Sequence, residues 1–307
     1  MADATGKARD QRYLDPKTLT KIGRLDIIAR LVVEGFVTGL HRSPYHGFSV
    51  EFAEHREYVP GDDIKHIDWK VYARSDRYYI KQYEEETNLT ATILVDGSES
   101  MKYRSSQELP SKLDYASYVA ASLSYLILRQ RDAVGLVTFD DEIRQFIPPA
   151  SSPSHRNLII DGLMQIEPRQ RTSLGPVLHA MAERVRRKGL VIIISDLLDD
   201  PARILSGLRH FRHRKHEVIV FHVLDVAERT FPFDSMTRFN GLEALGEVVC
   251  DPGALRRAYL DELDEFVGQI RHGCRTDRID YVPLDTSVPL DVALTSYLAT
   301  RAGMKLA

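Results

Sequence analysis

The chain has 307 residues, of which 43% are hydrophobic and 28% are charged, so it can bury the core of one large domain or two ordinary ones. Its net charge of −3 gives no general reason to expect nucleic acid or an anionic membrane as a partner. The two cysteines, Cys250 and Cys274, form no Cys-x-x-Cys pair, which argues against a disulfide scaffold and a zinc knuckle.

The first residues of the chain contain no apolar segment like that of a signal peptide. No run of residues approaches the length of a transmembrane helix. We therefore expect a cytoplasmic protein that does not insert directly into a membrane.

Residues 1–88 are predicted to form an N-terminal region with one helix and a β-rich part. Apolar residues recur at helical spacing over residues 19–37, which predicts an amphipathic helix. Apolar and polar residues alternate over residues 48–52 and 78–83, as is typical of strands. Between these runs, the Pro-Gly pair within residues 58–63 predicts a tight turn.

Residues 89–307 alternate between strands and helices, which predicts an α/β fold with a doubly wound, mainly parallel sheet flanked by helices. A capping box from Ser111 to Asp114 is expected to begin one of the helices. Residues 225–248 are predicted as an irregular insert. The predicted strands are 91–96, 134–139, 143–147, 190–195 and 217–224, and the predicted helices are 111–129, 154–166, 174–187 and 202–213, followed by a helix–strand–helix unit.

Oxygen-bearing side chains follow two of the predicted buried strands. Asp96, Ser98 and Ser100 follow the first, Asp196 follows the second, and Thr172 lies in a loop before a helix. In an open α/β sheet, ligands bind beyond the carboxyl ends of the strands. Hard oxygen ligands of this kind suit Mg²⁺, Mn²⁺ or Ca²⁺ rather than zinc. If the Asp-x-Ser-x-Ser motif stood alone, a turn with a helix cap would explain it. The presence of Thr172 and Asp196 later in the chain favours a metal site instead.

The same five residues, in this order, resemble the metal-ion-dependent adhesion site (MIDAS) of von Willebrand factor type A domains. The resemblance implies that Asp96, Ser98, Ser100, Thr172 and Asp196 hold Mg²⁺ or a similar ion. It also implies that an acidic residue of a partner protein completes the coordination shell of the ion.

A second signature lies upstream, where Tyr-x-Pro-Gly-Asp-Asp is followed by Ile-Asp-Trp and Ala-Arg. Turn chemistry and one packing tryptophan explain much of this segment. Together with the type A pattern, however, it resembles the bacterial family catalogued as domain of unknown function 58, over about residues 40–225. The resemblance implies partnership with a MoxR-type AAA+ ATPase in assembly or maturation of client proteins. Candidate partner-binding residues in the signature are Asp62, Asp63, Asp68, Trp69 and Arg74.

These patterns favour a metal-dependent protein–protein interaction module, acting as an adaptor or co-chaperone and not as an enzyme. The alternative hypothesis is a Mg²⁺-dependent phosphate-ester hydrolase with Asp96 as its nucleophile. Such enzymes typically carry an acid/base aspartate two residues later, where this chain has Ser98. A lysine to neutralise a phosphoryl group is not evident either, because nothing in the local pattern directs Lys102 toward Asp96.

Overall fold

The computed structural model places the chain in two compact units, one of Met1–Gly39 with Leu89–Ala307 and one of Leu40–Asn88. The sequence predicts that residues 1–88 form one region, whereas this division places residues 1–39, with the N-terminal helix, in the same unit as residues 89–307. The structure describes residues 16–20, 24–41, 55–57, 78–81, 89–168, 173–240, 246–291, 294–295 and 297.

The centre of the first unit is a six-stranded sheet in which five strands are parallel and one edge strand is antiparallel. The two strands at its centre consist mainly of apolar residues and are almost completely buried, as expected for a sheet covered on both faces. The strands of this sheet are β3 (Thr90–Asp96), β4 (Ala133–Phe139), β5 (Ile143–Ala150), β6 (Leu190–Ser195), β7 (Glu217–Leu224) and β10 (Asp280–Asp285). Their order in the sheet is β10-β7-β6-β3-β4-β5.

Helices cover both faces of this sheet, which confirms the predicted doubly wound α/β fold. Three of them share one hydrophobic core with the sheet, and two others pack together on the remaining strand surface. The three helices that share the core are α5 (Leu174–Arg184), α6 (Pro201–His213) and α8 (Pro252–Thr276). The two helices that pack together are α3 (Lys112–Arg129) and α4 (His155–Met164).

The close packing of α5 on α6 depends on a small residue at their contact. A Cβ atom added at Gly207 would lie 2.6 Å from the Cβ of Leu178, which is too close for two carbon atoms. The glycine therefore lets the two helices approach, and this fixes the loops that precede them at the carboxyl edge of the sheet.

One N-terminal helix, and a second one as far as Gly39, belong to the same unit as the sheet. They are α1 (Pro16–Leu19) and α2 (Leu25–His41). Val32 and Val33 are fully buried, and Thr20 shares a hydrogen bond with Tyr118 of α3. Burial of one apolar face of α2 explains why this helix groups with the sheet and not with the segment that follows it.

The described part of the second unit consists of two short antiparallel strands, β1 (His55–Glu57) and β2 (Tyr79–Lys81). The latter lies within the predicted strand at residues 78–83. The strand predicted at residues 48–52 lies outside the described residues.

The insert predicted as irregular contains regular structure. Its elements are the short helix α7 (Val226–Thr230) and a hairpin of β8 (Thr237–Asn240) and β9 (Glu247–Cys250). These elements are short enough to leave little periodic signal in the sequence. Asp225 begins α7 with a capping box in which Glu228 takes part, so the base of the insert is firmly anchored.

A row of aspartates lines one edge of the main sheet. Each of the five parallel strands ends at an aspartate or is followed directly by one, and all of these side chains are buried. Because parallel strands end at a common edge, the carboxylates gather there. In sheet order the residues are Asp285, Asp225, Asp196, Asp96 and Asp140.

None of the described helices combines the length and the apolar character needed to span a lipid bilayer.

Candidate metal centre

The candidate site begins where the neighbouring strands β3 and β6 end. Val95 is paired in register with Ile194, which brings Asp96 and Asp196 to the same edge of the sheet. Both carboxylates are fully buried. Burial of two acids side by side is expensive unless hydrogen bonds or cations compensate their charge.

Asp96 is held by neutral donors. The Ser195 hydroxyl donates to Oδ2 at 2.5 Å, and the Ser98 backbone N–H donates to Oδ1 at 2.9 Å. Burial raises the pKa of Asp96 well above its usual range, and the negative charge of Asp196 raises it further. Among the described residues, no lysine or arginine forms an ion pair with Asp96.

The two serines of the loop face each other. The hydroxyl oxygens of Ser98 and Ser100 lie 3.0 Å apart, and both side chains are buried. The Ser100 side chain also forms a hydrogen bond with Asp196, which helps to lower the pKa of that carboxyl. Four of the five predicted metal ligands are thus brought together at one point of the edge.

Gly97 permits the tight path of this loop. Its N–H donates to the carbonyl of Phe139 at 2.6 Å, and an added Cβ would lie 2.8 Å from a methyl carbon of Ile166. A larger residue would therefore push the loop away from the sheet.

Asp196 has a cationic partner that the sequence did not reveal. The Lys112 ammonium donates to Asp196 Oδ2 at 2.8 Å and to Glu228 Oε1 at 2.7 Å. Burial alone would lower the pKa of Lys112, but the charges of Asp196 and Glu228 outweigh it and raise the pKa. The same attraction lowers the pKa of Asp196 despite the opposing effect of burial.

A histidine fixes the backbone at Asp196. The Nε2 atom of His222 lies 2.9 Å from the Asp196 carbonyl, and its Nδ1 atom lies 2.6 Å from the Tyr281 hydroxyl. Burial lowers the pKa of His222 to about 4, so the ring is neutral at neutral pH. A neutral ring that donates from Nε2 and accepts at Nδ1 satisfies both contacts.

The loop after Asp196 is tied to the start of α5. Asp199 Oδ2 accepts hydrogen bonds from the backbone N–H groups of Leu174 and Gly175, at 2.9 and 3.3 Å. A carboxylate at the N-terminus of a helix is favoured both by these free N–H groups and by the helix dipole. The predicted ligand Thr172 precedes this helix and lies outside the described residues.

The predicted partner-binding residues of the N-terminal signature also lie outside the described residues, so their role stays a prediction. They are Asp62, Asp63, Asp68, Trp69 and Arg74.

The described donor set fits a hard divalent cation. It offers two buried carboxylates and two hydroxyls, all of them oxygen ligands. Within the described residues, no group of three or more His, Cys, Asp or Glu side chains could hold a metal. A cation here would therefore depend on the serine hydroxyls as well as on Asp96 and Asp196.

Comparisons with known proteins agree with this architecture. The family described as "Protein of unknown function DUF58" matches residues 54–265. Uncharacterized proteins of Mycobacterium bovis and Mycobacterium tuberculosis are 27% identical over 221 residues, covering 71% of this chain and 68% of each relative.

Solved structures are similar to this chain in fold only. The conserved hypothetical protein BatB from Bacteroides thetaiotaomicron is 18% identical, with a TM-score of 0.50, over 70% of this chain and 99% of that one. A second match, the SpRpn10 VWA domain, has a TM-score of 0.37 and 14% identity over 67% of this chain and 93% of that one. The six-stranded sheet with helices on both faces is von Willebrand factor A-like.

Proposed function

We propose that this chain, which belongs to the family described as "Protein of unknown function DUF58", is a metal-dependent protein-interaction module and not an enzyme. Its von Willebrand factor A-like fold is typical of modules that bind other proteins. In this proposal it serves as an adaptor or co-chaperone of a MoxR-type AAA+ ATPase during assembly or maturation of a client protein.

The observation that carries the proposal is the state of Asp96. This carboxylate is completely buried, lies beside a second buried carboxylate, and has only neutral hydrogen-bond donors as described partners. A divalent cation held with Ser98, Ser100 and Asp196 would compensate its charge. Such an ion would supply a Lewis acid for an incoming oxygen, which suits an acidic residue of the ATPase or the client.

The affinity for the cation is expected to be modest. Two of the four described ligands are neutral hydroxyls, and Asp196 already shares one oxygen with Lys112. Fewer charged ligands give weaker binding of hard cations. The site is therefore suited to reversible use and to completion by a partner.

Titration calorimetry with Mg²⁺, and then with Mn²⁺ and Ca²⁺, tests the metal site. Wild-type protein should bind one ion, and Asp96→Ala should bind none. Asp161→Ala is the matched control, because Asp161 is an exposed aspartate on α4 and is not one of the proposed ligands. Equal Mg²⁺ binding by wild type and Asp96→Ala would refute the metal assignment.

A pull-down with the purified ATPase tests the partner. Association should be lost in EDTA, and Ser98→Ala/Ser100→Ala and Asp196→Ala should each weaken it. Binding that survives both EDTA and Asp196→Ala would place the interaction surface elsewhere in the chain.

One observation favours the alternative, a Mg²⁺-dependent phosphate-ester hydrolase. Lys112 supplies a buried cation at the site, which the sequence had not assigned. Its ammonium is bound by Asp196 and Glu228, however, and position 98 is a serine where an acid/base carboxylate would be needed. Phosphate release from an aryl phosphate in Mg²⁺, abolished by Asp96→Asn, would establish the hydrolase instead.

A further inference from the structure

A cavity of about 440 Å³ opens directly beside the candidate metal centre. Ser100 lines it, and so does the ion pair of Lys112 with Glu228. Its size lies within the range of about 300–1,000 Å³ that is usual for ligand pockets. A molecule bound in this cavity would therefore lie next to a partner group that approaches the metal centre.

Aromatic rings form the opposite wall. The ring centroid of Phe231 lies 4.7 Å from that of Tyr259 and 5.7 Å from that of Phe239, and Phe233 meets Phe239 edge to face at 5.3 Å. These rings come from the insert and from α8, so the cavity depends on the folded insert. We call Phe231, Phe233, Phe239 and Tyr259 the aromatic wall.

The backbone conformation of Phe231 and hydrogen bonds from the Arg256 side chain hold the aromatic wall in place. Phe231 has a left-handed conformation with φ of 45°, which an L-amino acid adopts only when its surroundings favour it. The Arg256 guanidinium donates to the carbonyls of Phe231 and Phe233 at 3.0 and 2.7 Å. A wall fixed in this way loses little entropy when a ligand binds.

Charge at the base of the cavity decides what can enter. Lys112 is paired with both Glu228, at 2.7 Å, and Asp196, at 2.8 Å, so among the described residues that line the cavity neither Lys112 nor Glu228 is free to pair with an incoming charged side chain. Leu198, two residues after Asp196, is 45% exposed and adds an apolar side chain to the lining of the cavity. An uncharged, apolar side chain fits this lining, and aromatic rings gain most from edge-to-face and offset contacts with other rings.

We infer that the cavity binds an aromatic side chain of the partner protein, one or two residues away from the acidic residue that approaches the candidate metal centre. The inference rests on the proposed function, since the acidic residue sets the position of the neighbouring side chain. It adds the part of the recognition that distinguishes one acidic segment from another, because a cation alone accepts any accessible carboxylate.

A phage-displayed library of random heptapeptides provides the probe. The full-length protein is immobilised in Mg²⁺, and bound phage are eluted with EDTA. Wild type should enrich peptides that carry Asp or Glu with Phe, Tyr or Trp within two positions. Phe239→Ala should enrich acidic peptides without the aromatic residue. Met236→Ala is the matched control, because Met236 is 69% exposed in the same insert but does not line the cavity.

A synthetic peptide from the enriched set then allows a double-mutant cycle. Replacing its aromatic residue by Ala should weaken binding to wild type about tenfold, as for a buried aromatic contact, and binding to Phe239→Ala by less than about twofold. Thermal unfolding is recorded for each variant. Leu198→Ala, a truncation at an exposed position that should leave folding intact, should weaken the same peptide to a smaller extent.

The outcomes separate the two claims. Acidic peptides that elute with EDTA but show no aromatic preference would overturn the inference and leave the proposed function intact. Peptides that bind in EDTA or to Asp96→Ala, or no enrichment at all, would overturn both.

Discussion

Asp96 and Asp196 lie at the ends of neighbouring strands and are equally buried, yet the protein compensates their charges in different ways. Asp196 pairs with the Lys112 ammonium, whereas Asp96 receives hydrogen bonds from a hydroxyl and a backbone N–H. The pKa of Asp196 is accordingly lowered and that of Asp96 is raised. One half of the site is therefore complete within the chain, and the other half is suited to receive a cation from solution.

The largest effect is expected from Lys112→Met. Removing one member of a buried ion pair leaves an uncompensated charge, which costs about 3–5 kcal/mol of the free energy of unfolding. Urea denaturation followed by circular dichroism measures this loss. Added Mg²⁺ should restore part of it, because the ion can offset the charge of Asp196.

Lys102→Met is the matched control for that experiment. Lys102 forms an exposed ion pair with Glu99 in the same loop region, and such pairs contribute about 0–1 kcal/mol. If the two variants lose equal stability, the buried pair does not distinguish Asp196 from Asp96.

Glu228→Gln should cost less, about 1–3 kcal/mol, since one buried hydrogen bond to a charged group is weakened while Lys112 keeps Asp196 as a partner. The same measurement on Glu247→Gln provides the comparison, because Glu247 is exposed in the hairpin of the insert. A loss as large as that of Lys112→Met would mean that Glu228, and not Asp196, is the main partner of the lysine.

Ser111→Ala should destabilise the protein by about 1 kcal/mol through loss of the helix cap that precedes Lys112. Ser154→Ala is a suitable control, since Ser154 occupies the equivalent position before α4 but its side chain caps nothing. Thermal unfolding should separate the two variants. Equal melting temperatures would show that the capping box does not help to place the lysine.

Asp96→Asn should have the smallest effect on stability without metal, within about 1 kcal/mol. The amide oxygen can still accept from the Ser98 N–H, the amide N–H can donate to the Ser195 hydroxyl, and a buried charge is removed. The melting temperature of wild type should rise with Mg²⁺, and that of Asp96→Asn should stay constant. A large loss of stability in EDTA would contradict the view that Asp96 has no cationic partner of its own.

Much of the fold follows from local patterns in the sequence. The predicted strand that ends at Asp96, the capping box at Ser111 and the antiparallel edge strand are all present. Each depends on neighbours in the chain, such as a run of apolar residues between polar turns. The short elements of the insert lacked that signal, because a helix of five residues contains little more than one turn.

Local patterns in the sequence also predict part of the candidate site. Asp96, Ser98 and Ser100 are close in sequence, and Asp196 follows a recognisable strand. Lys112 could not be found in this way, because its partners Asp196 and Glu228 are 84 and 116 residues away and only the fold brings them together. Within the sequence it stands as an ordinary lysine in the first turn of a helix.

The row of strand-end aspartates has a consequence for the order of events. Within the described residues, Asp140, Asp196 and Asp285 form ion pairs with side chains of the chain itself, whereas Asp96 and Asp225 receive hydrogen bonds alone. The residual negative potential attracts small cations and repels acidic proteins, and dissolved salt weakens both effects. Metal uptake should thus be fastest at low ionic strength, and an acidic partner should dock only after the ion has offset the negative charge at this edge.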